Sequence, residues 1–213
     1  MNRGIAFALL SLAPSAASPA AHAPADVWDF TVYLDDKPVG YHRFTLTGQP
    51  EERQVHSEAR FDVKLLMFTA YSYVHEARES WQDGCLKGLA AKTDDNGDKI
   101  EVQGKGESGH FRLATNQKPT ELPECVWTFA YWHPGMIEQK HLLNPQTGEY
   151  LPVRVELKGE ERIKAGGVER KAKHYLLDAG KFQIDLWYGS DDQRWLALDS
   201  TLEGGRRLRY RIE

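Results

Sequence analysis

Several signatures of enzymes and cofactor-binding proteins are absent from this chain of 213 residues. It contains no G-x-S-x-G segment, no H-E-x-x-H segment and no phosphate-binding loop of the P-loop type. The motifs of serine hydrolases, zinc metalloproteases and P-loop nucleotide-binding proteins are therefore missing. Its eight histidines form no recognisable group with cysteines or acidic residues. We therefore expect no catalytic residues, no metal site and no cofactor.

The chain also lacks a strong excess of charge of either sign, since 27 Lys and Arg stand against 31 Asp and Glu. A formal net charge of −4 gives no attraction to nucleic acids, so we expect no nucleic-acid partner. The one locally basic stretch is Arg206–Arg211. In a strand its charges divide between the two faces, and we interpret it as a solvated edge strand protected against edge-to-edge pairing.

Long apolar runs are scarce, and the only prominent one is too short to cross a bilayer. Gly4–Leu12 follows the positively charged Arg3 and precedes small residues that end in Ala21-His22-Ala23, an A-x-A cleavage site. This pattern predicts a cleavable signal peptide over residues 1–23 and one domain over residues 24–213. We expect an exported, periplasmic protein without a transmembrane segment.

Cysteine is scarce as well, with only Cys85 and Cys125 present. In an oxidising compartment an even number of cysteines favours a disulfide, which would close a loop of about 40 residues and stabilise the fold by about 4 kcal/mol. Two separate buried thiols are the alternative. A redox-active pair needs a C-x-x-C motif and a zinc site needs further ligands at close spacing, and the chain has neither.

The sequence is rich in apolar residues that recur with a period of two, which predicts β-strands for most of the chain. In Gln54–Val63 apolar or small residues alternate with polar or charged ones. Asn96-Gly97 predicts a tight hairpin, because type I′ turns need positive φ at both central residues. We interpret Asn116–Glu124 as a loop. The pattern predicts a mainly β fold in which about eleven strands form one curved antiparallel sheet, an open or half barrel.

The alternation stops between Cys125 and Leu143. Residues 126–132 are mostly aromatic without alternating, and Pro134 fits the first turn of a helix. We predict one short helical segment here, against the concave face of the sheet. Aromatic residues of this segment and of the predicted strand Phe68–Trp81, with one histidine, are candidates for the lining of a cavity: Tyr71, Tyr73, Trp81, Trp127, Phe129, Tyr131, Trp132 and His133.

Two interpretations of these aromatic residues stay open. Either they fill the core between sheet and helical segment, or they line an apolar cavity that the side chains of a wide half-barrel leave empty. A cavity would indicate a non-enzymatic binding or carrier module for a lipid or other hydrophobic molecule. The alternatives are a protein-interaction or structural module of the cell envelope, with unknown protein partners, and a hydrolase or isomerase that uses His75, His133, Glu79 or Asp185.

Three parts of the chain resemble a known family. They are Trp81–Leu86 with the hairpin at Asn96-Gly97, the aromatic segment Leu122–Pro134, and Asp185–Tyr188 with Arg194-Trp195. Together they are similar to the DUF6134-like exported bacterial proteins of unknown function. That family often has Trp-Asn-Pro where this chain has Trp132-His133-Pro134. The resemblance implies no established activity, but it favours a Cys85–Cys125 disulfide, because both cysteines lie in matching segments.

The layout of the predicted elements is also similar to that of the lipoprotein-carrier (LolA/LolB-like) half-barrels. In those proteins short helices cover a curved antiparallel sheet, and acyl chains are held inside. A similarity of layout implies a fold and not a function, because unrelated functions share the same fold.

Overall fold

The computed structural model describes residues 26–65 and 68–213. The predicted signal peptide, residues 1–23, lies outside the described residues. Within them are 3₁₀ turns at Pro134–Glu138 and Glu203–Gly205 and fifteen strands: β1 (Asp26–Leu34), β2 (Lys37–Gln49), β3 (Glu52–Leu65), β4 (Phe68–Gln82), β5 (Cys85–Asp95), β6 (Asp98–Glu107), β7 (His110–Thr115), β8 (Lys118–Pro123), β9 (His141–Leu143), β10 (Tyr150–Pro152), β11 (Arg154–Ala165), β12 (Val168–Asp178), β13 (Gln183–Gly189), β14 (Trp195–Thr201) and β15 (Arg207–Arg211).

Thirteen of the described strands form one sheet, in the order β11-β12-β13-β14-β15-β1-β2-β3-β4-β5-β6-β7-β8. All neighbouring strands are antiparallel. The pairing of β15 with β1, which places Val32 opposite Tyr210, joins the two halves of the sheet, β11–β15 and β1–β8. The sheet is strongly curved but does not close into a barrel, so β8 and β11 are its edges. The predicted mainly β fold with one curved antiparallel sheet is confirmed.

The sheet has more strands than the roughly eleven that the period of two predicts. Part of the difference lies in Asn116–Glu124, because the loop predicted there contains strand β8. Asn116 and Gln117 adopt φ values of 46° and 66° and form a two-residue turn that brings β8 back onto β7. Pro119 and Pro123 fit in β8 because an edge strand has one side without a partner.

The interpretation of the basic stretch as an edge strand is wrong, since β15 lies between β14 and β1. Its arginines instead surround Asp199 of the neighbouring strand, which is only 4 % exposed. Arg211 Nη1 lies 2.5 Å from Asp199 Oδ1, and Arg207 Nη2 lies 3.0 Å from Oδ2. A nearly buried carboxylate therefore balances positive charges in the middle of the sheet.

Residues 124–153 leave the sheet and cross its concave face; we call them the crossing segment. At one side the Leu86 amide donates a hydrogen bond to the Val126 carbonyl at 3.1 Å, and at the other the Tyr188 hydroxyl donates to the Tyr131 carbonyl at 2.9 Å. The helical part is the single 3₁₀ turn Pro134–Glu138, with Pro134 in its first turn as predicted. The segment thus ties the two halves of the sheet together.

The hydrophobic core lies on the concave face of the sheet, under the crossing segment. The alternation predicted for β3 is present, because Val55, Ser57, Ala59 and Phe61 are buried. At the centre of the core Trp195 is fully buried, with its ring centroid 4.3 Å from that of Phe30. Among the described residues, no helical element has the length and apolar character of a membrane span.

Candidate functional site

A cavity of about 840 Å³ lies between the concave face of the sheet and the crossing segment. Its size falls within the range of small-molecule sites in proteins, about 300–1,000 Å³. Both halves of the sheet contribute to its wall, together with residues 129–132 and 144–146 of the crossing segment. The wall is largely apolar, with large side chains that include Phe44, Phe61, Phe129, Trp132, Phe182 and Ile184.

Small side chains on the sheet leave room for this cavity. Ser57 on β3 lies directly opposite Ala77 on β4, and both residues line the cavity. Because these side chains project only a short distance from the strands, they do not reach the crossing segment, and the space above them is open. Packing of the surrounding aromatic residues closes the sides of the cavity but does not fill it.

The aromatic residues that the sequence analysis selected divide into two groups. The structure places five at the cavity wall, namely Tyr71, Tyr73, Phe129, Tyr131 and Trp132, and three outside it, namely Trp81, Trp127 and His133. A ligand-binding role of the five stays a prediction.

Trp81, Trp127 and His133 lie outside the wall because they pack against one another and against Trp132, a group that we call the tryptophan cluster. The ring centroids of Trp81 lie 5.3 Å from Trp127 and 5.5 Å from Trp132, both in edge-to-face geometry. The Trp127 and His133 centroids are 5.0 Å apart. His133 Nδ1 also accepts a hydrogen bond from the Gly135 amide at 3.0 Å, which caps the 3₁₀ turn.

The favoured disulfide between Cys85 and Cys125 is present beside this cluster. Cys85 follows the turn that ends the strand of Trp81, and Cys125 precedes Trp127 by two residues. The bond therefore holds the start of the crossing segment against β5, which brings Trp127 onto Trp81.

Buried polar side chains from neighbouring strands form the floor of the cavity; we call His42, Ser57, Tyr73 and His75 the polar floor. His42 Nε2 lies 2.7 Å from Ser57 Oγ, and His42 Nδ1 lies 3.3 Å from the Tyr210 hydroxyl. His75 Nδ1 lies 3.0 Å from Thr93 Oγ1. All four residues of the floor are at least nine-tenths buried.

Both histidines of the polar floor are neutral at pH 7 because burial disfavours the charged imidazolium. Burial, reinforced by the nearby His75, lowers the pKa of His42 well below its usual value. Burial also lowers the pKa of His75 to about 4, against smaller opposing effects from the Lys92 carbonyl and Glu76. The floor therefore offers hydrogen bonds without charge.

Glu79 lines the cavity next to the tryptophan cluster. Its Oε2 atom accepts hydrogen bonds from Trp81 Nε1 at 2.8 Å and from Thr128 Oγ1 at 3.3 Å. Burial raises the pKa of Glu79 to about 7, although both hydrogen bonds act in the opposite direction. This carboxyl group connects the packed part of the interior to the open part.

The four residues proposed for an enzyme do not come together. His75 and Glu79 line the cavity, but each has its own hydrogen-bond partner. His133 belongs to the tryptophan cluster, and Asp185 Oδ1 lies 2.6 Å from His174 Nε2, away from the cavity wall. Within residues 26–65 and 68–213, no group of three or more His, Cys, Asp or Glu side chains is arranged to hold a metal ion.

Sequence reasoning missed His42 and Ser57 as site residues. A signal for His42 was present, because it lies two residues before Phe44 and four before Leu46, in phase with the apolar face of β2. Ser57 lies in phase with Val55 and Ala59 in the same way. A polar residue in phase with a buried face is the pattern that would have identified both.

Comparisons with known proteins agree with the fold. Among solved structures, the chain is similar to a crystal structure described as a beta-barrel-like protein of the domain of unknown function DUF1849 from Brucella abortus. The TM-score is 0.63 at 11% sequence identity, over 88% of this chain and 94% of that chain. Identity this low shows a shared fold and nothing more. The similarity of layout to the lipoprotein-carrier half-barrels stays a prediction.

No curated protein matches the chain. Residues 30–213 do match a family that is described as a domain of unknown function, DUF6134. Because the match extends over most of the chain, the chain belongs to the DUF6134 family, and the resemblance seen in its motifs is confirmed.

Proposed function

We propose that this DUF6134 protein is a periplasmic, non-enzymatic binding or carrier module for a lipid or another hydrophobic small molecule. The observation that supports this proposal most is the cavity of about 840 Å³ between sheet and crossing segment. Small-molecule sites commonly combine an apolar wall with a few polar groups that fix orientation. The cavity has that composition, with aromatic and aliphatic side chains around the polar floor.

The apolar wall supplies the driving force that the proposal needs. Each methylene group that moves from water into such a wall contributes about 0.8 kcal/mol. The cavity also reaches the protein surface, because the exposed side chains of Lys181 and Arg206 contribute to its lining. A hydrophobic molecule can therefore enter without passing through the packed core.

The disulfide supports the periplasmic part of the proposal. Structural disulfides persist in oxidising compartments and are rare in the cytosol. The Cys85–Cys125 bond is therefore consistent with the export signal expected over residues 1–23.

A protein-interaction module, by contrast, predicts a filled interior, and the open cavity gives this alternative function no support.

Two matched variants test the proposed binding site. Ala77 and Ala91 are buried neighbours in register on β4 and β5, but only Ala77 lines the cavity. Ala77→Leu places extra carbon atoms where the ligand lies, and displacing two or three ligand methylene groups weakens binding about tenfold or more. Ala91→Leu leaves the cavity wall unchanged.

The measurement is a fluorescence titration of the folded proteins with the apolar dye Nile red. We expect native protein and Ala91→Leu to bind the dye with similar affinity, and Ala77→Leu to bind it more weakly. Equal affinity in all three proteins, or no binding to native protein, would contradict the proposed site.

One contact favours a hydrolase as the second candidate function. Ser57 Oγ and His42 Nε2 are 2.7 Å apart at the cavity floor, the separation of a nucleophile and its base. Against this, burial lowers the pKa of His42, and its Nδ1 atom faces the Tyr210 hydroxyl in place of a carboxylate. These features leave His42 a weak base.

Hydrolysis of p-nitrophenyl esters of different chain length, with native protein and Ser57→Ala, separates the two candidates. We expect equal background rates for both proteins. A rate that is saturable in native protein and lost in Ser57→Ala would favour the hydrolase.

A further inference from the structure

We infer that the ligand carries an uncharged hydrogen-bonding group, such as an alcohol hydroxyl or an ester or ketone carbonyl, and that this group binds at the Tyr73 hydroxyl. The inference rests on the proposed function, because it names the class of hydrophobic molecule that the same cavity would hold.

Tyr73 has a hydroxyl group that the protein itself does not satisfy. The residue is only 7 % exposed and lines the cavity, and within the described residues its hydroxyl has no hydrogen-bond partner. The neighbouring side chains cover this oxygen almost completely, so a ligand group reaches it after a small side-chain movement. A buried hydroxyl without a partner costs free energy that a bound acceptor or donor then recovers. The Tyr73 ring is stacked on Phe61 with centroids 5.2 Å apart, so the hydroxyl is held in place.

The surroundings of Tyr73 favour an uncharged group. The ring centroid of His75 lies 6.5 Å from that of Tyr73, and that of His42 lies 6.5 Å from His75, on the other side of the small Ala59. Burial lowers the pKa of both, so neither provides a positive charge for an anion. An ionic group placed on this floor would lose its hydration and gain no opposite charge in return.

The charged side chains of the lining lie mostly at the rim, and its two cations are already paired. Lys181 forms an ion pair with Glu149, and Arg206 Nε lies 2.9 Å from Asp35 Oδ2. Asp95 is exposed, accepts a hydrogen bond from Tyr71 at 2.7 Å and has no ion-pair partner in the described part of the chain. The rim therefore offers no free cation to an anionic group, and its unpaired carboxylate, Asp95, is exposed to water, which weakens its attraction for a cationic group.

The other carboxyl group of the lining, Glu79, is a second potential partner for a cationic ligand group. Burial raises its pKa to about 7, so about half of the Glu79 side chains are protonated and uncharged at pH 7. Its Oε2 atom is bonded to Trp81 and Thr128. At pH 7 Glu79 is therefore a weaker partner for a cationic group than a fully ionised carboxylate would be.

The test crosses two protein variants with a series of ligands that share a ten-carbon chain. The ligands are decan-1-ol, 2-decanone, 1-chlorodecane, decanoate and decyltrimethylammonium, and each is measured at pH 7 by its displacement of Nile red. Tyr73→Phe removes only the hydroxyl that the inference invokes. Tyr71→Phe is the matched control, because Tyr71 lies two residues away in the same lining but already donates to Asp95.

We expect Tyr73→Phe to weaken decan-1-ol and 2-decanone by about fivefold to tenfold, the value of one hydrogen bond, and 1-chlorodecane by less than about twofold. Tyr71→Phe should leave this difference between ligands unchanged. In native protein, decan-1-ol should bind more tightly than decanoate or decyltrimethylammonium.

Equal weakening of decan-1-ol and 1-chlorodecane by Tyr73→Phe would overturn the assignment to the hydroxyl. Tightest binding of decanoate or decyltrimethylammonium to native protein would overturn the uncharged class, and this comparison does not depend on the variant folding. In both cases the cavity would still bind hydrophobic molecules. Failure of native protein to bind Nile red or any of the ligands would instead remove the proposed function and this inference together.

Discussion

Two neighbouring groups of aromatic residues in the crossing segment pack against the sheet in different ways. Beside the disulfide, Trp127 and Trp132 meet the large Trp81 and form a filled aromatic cluster. Over the middle of the sheet, Phe129 and Tyr131 cover an open cavity. The segment is equally aromatic at both places, so the difference comes from the sheet, which offers tryptophan at one place and serine and alanine at the other.

This comparison shows that aromatic content alone does not identify a binding site. In this structure the cavity lies where large side chains of the segment face small ones on the sheet, and the packed cluster lies where both are large. The structure thus separates a packed region, beside the Cys85–Cys125 bond, from an open region that contains the cavity. Four predictions sharpen or break this separation.

The largest expected effect on stability comes from the disulfide. Replacing both Cys85 and Cys125 with Ala should lower the free energy of unfolding by about 4 kcal/mol, because the bond constrains a long loop in the unfolded chain. The double variant, where it is folded, should still bind Nile red. Urea unfolding measures the loss, and dithiothreitol should destabilise native protein but not the variant. A loss of less than about 1 kcal/mol in the free energy of unfolding would show that the bond does not anchor the packed region.

Glu79 lies between the packed and the open region, and its titration should make stability depend on pH. Its pKa is about 7 in the folded protein against 4.5 ordinarily, so the folded state keeps a proton that the unfolded chain releases. Stability should therefore fall as pH rises from about 4.5 to 7, by about 3 kcal/mol in total. Glu79→Gln has no titratable carboxyl group at this position, so its stability should not fall with pH in this way.

The readout is the difference between native protein and Glu79→Gln in urea unfolding from pH 4.5 to 8. His42 and His75 have lowered pKa values and act in the opposite direction, since they reduce stability as pH falls. They are present in both proteins, so the difference isolates Glu79. Parallel pH profiles would show that Glu79 is not desolvated at this boundary.

The matched alanines compare packed and open space directly. Ala91→Leu should destabilise the protein by about 1–3 kcal/mol, because a packed core resists added volume. Ala77→Leu should cost less than about 1 kcal/mol, because its side chain extends into the cavity. Thermal unfolding of both variants gives the comparison. Equal losses would indicate that the space over Ala77 is filled in solution.

The smallest expected effect concerns His133 in the tryptophan cluster. His133→Ala removes the side chain that caps the 3₁₀ turn, which should lower stability by about 1 kcal/mol. Nile red affinity should not change, because His133 lies outside the cavity wall. His133→Asn, which keeps a capping acceptor, is the control and should recover most of the loss. Weakened binding in the folded His133→Ala variant would place this residue at the site after all.

Much of the fold was predictable from the sequence, because the period of two in the apolar residues is local information. The alternation in Gln54–Val63 predicts which face of β3 is buried, and that face is buried in the structure. The position of β15 was not predictable in the same way. Its neighbour β1 lies about 180 residues away along the chain, and no local pattern reports such a distant pairing.

The candidate site was predictable only in part. Aromatic richness identified the crossing segment, and Phe129 and Tyr131 do line the cavity. It did not distinguish them from Trp127, because that distinction depends on which sheet residue each ring meets. Two of the four residues of the polar floor, His42 and Ser57, were missed because they carry no motif. Their burial follows from strand phase and from the cover that the crossing segment provides.

The most direct test of the central claim is a native mass spectrum of protein purified gently from cells that express the full chain, followed by organic extraction and lipid analysis. The account predicts a second species whose added mass matches an extracted hydrophobic molecule, and a smaller share of that species in Ala77→Leu than in Ala91→Leu. Only the mass of the bare protein, together with no binding of added Nile red, would contradict it.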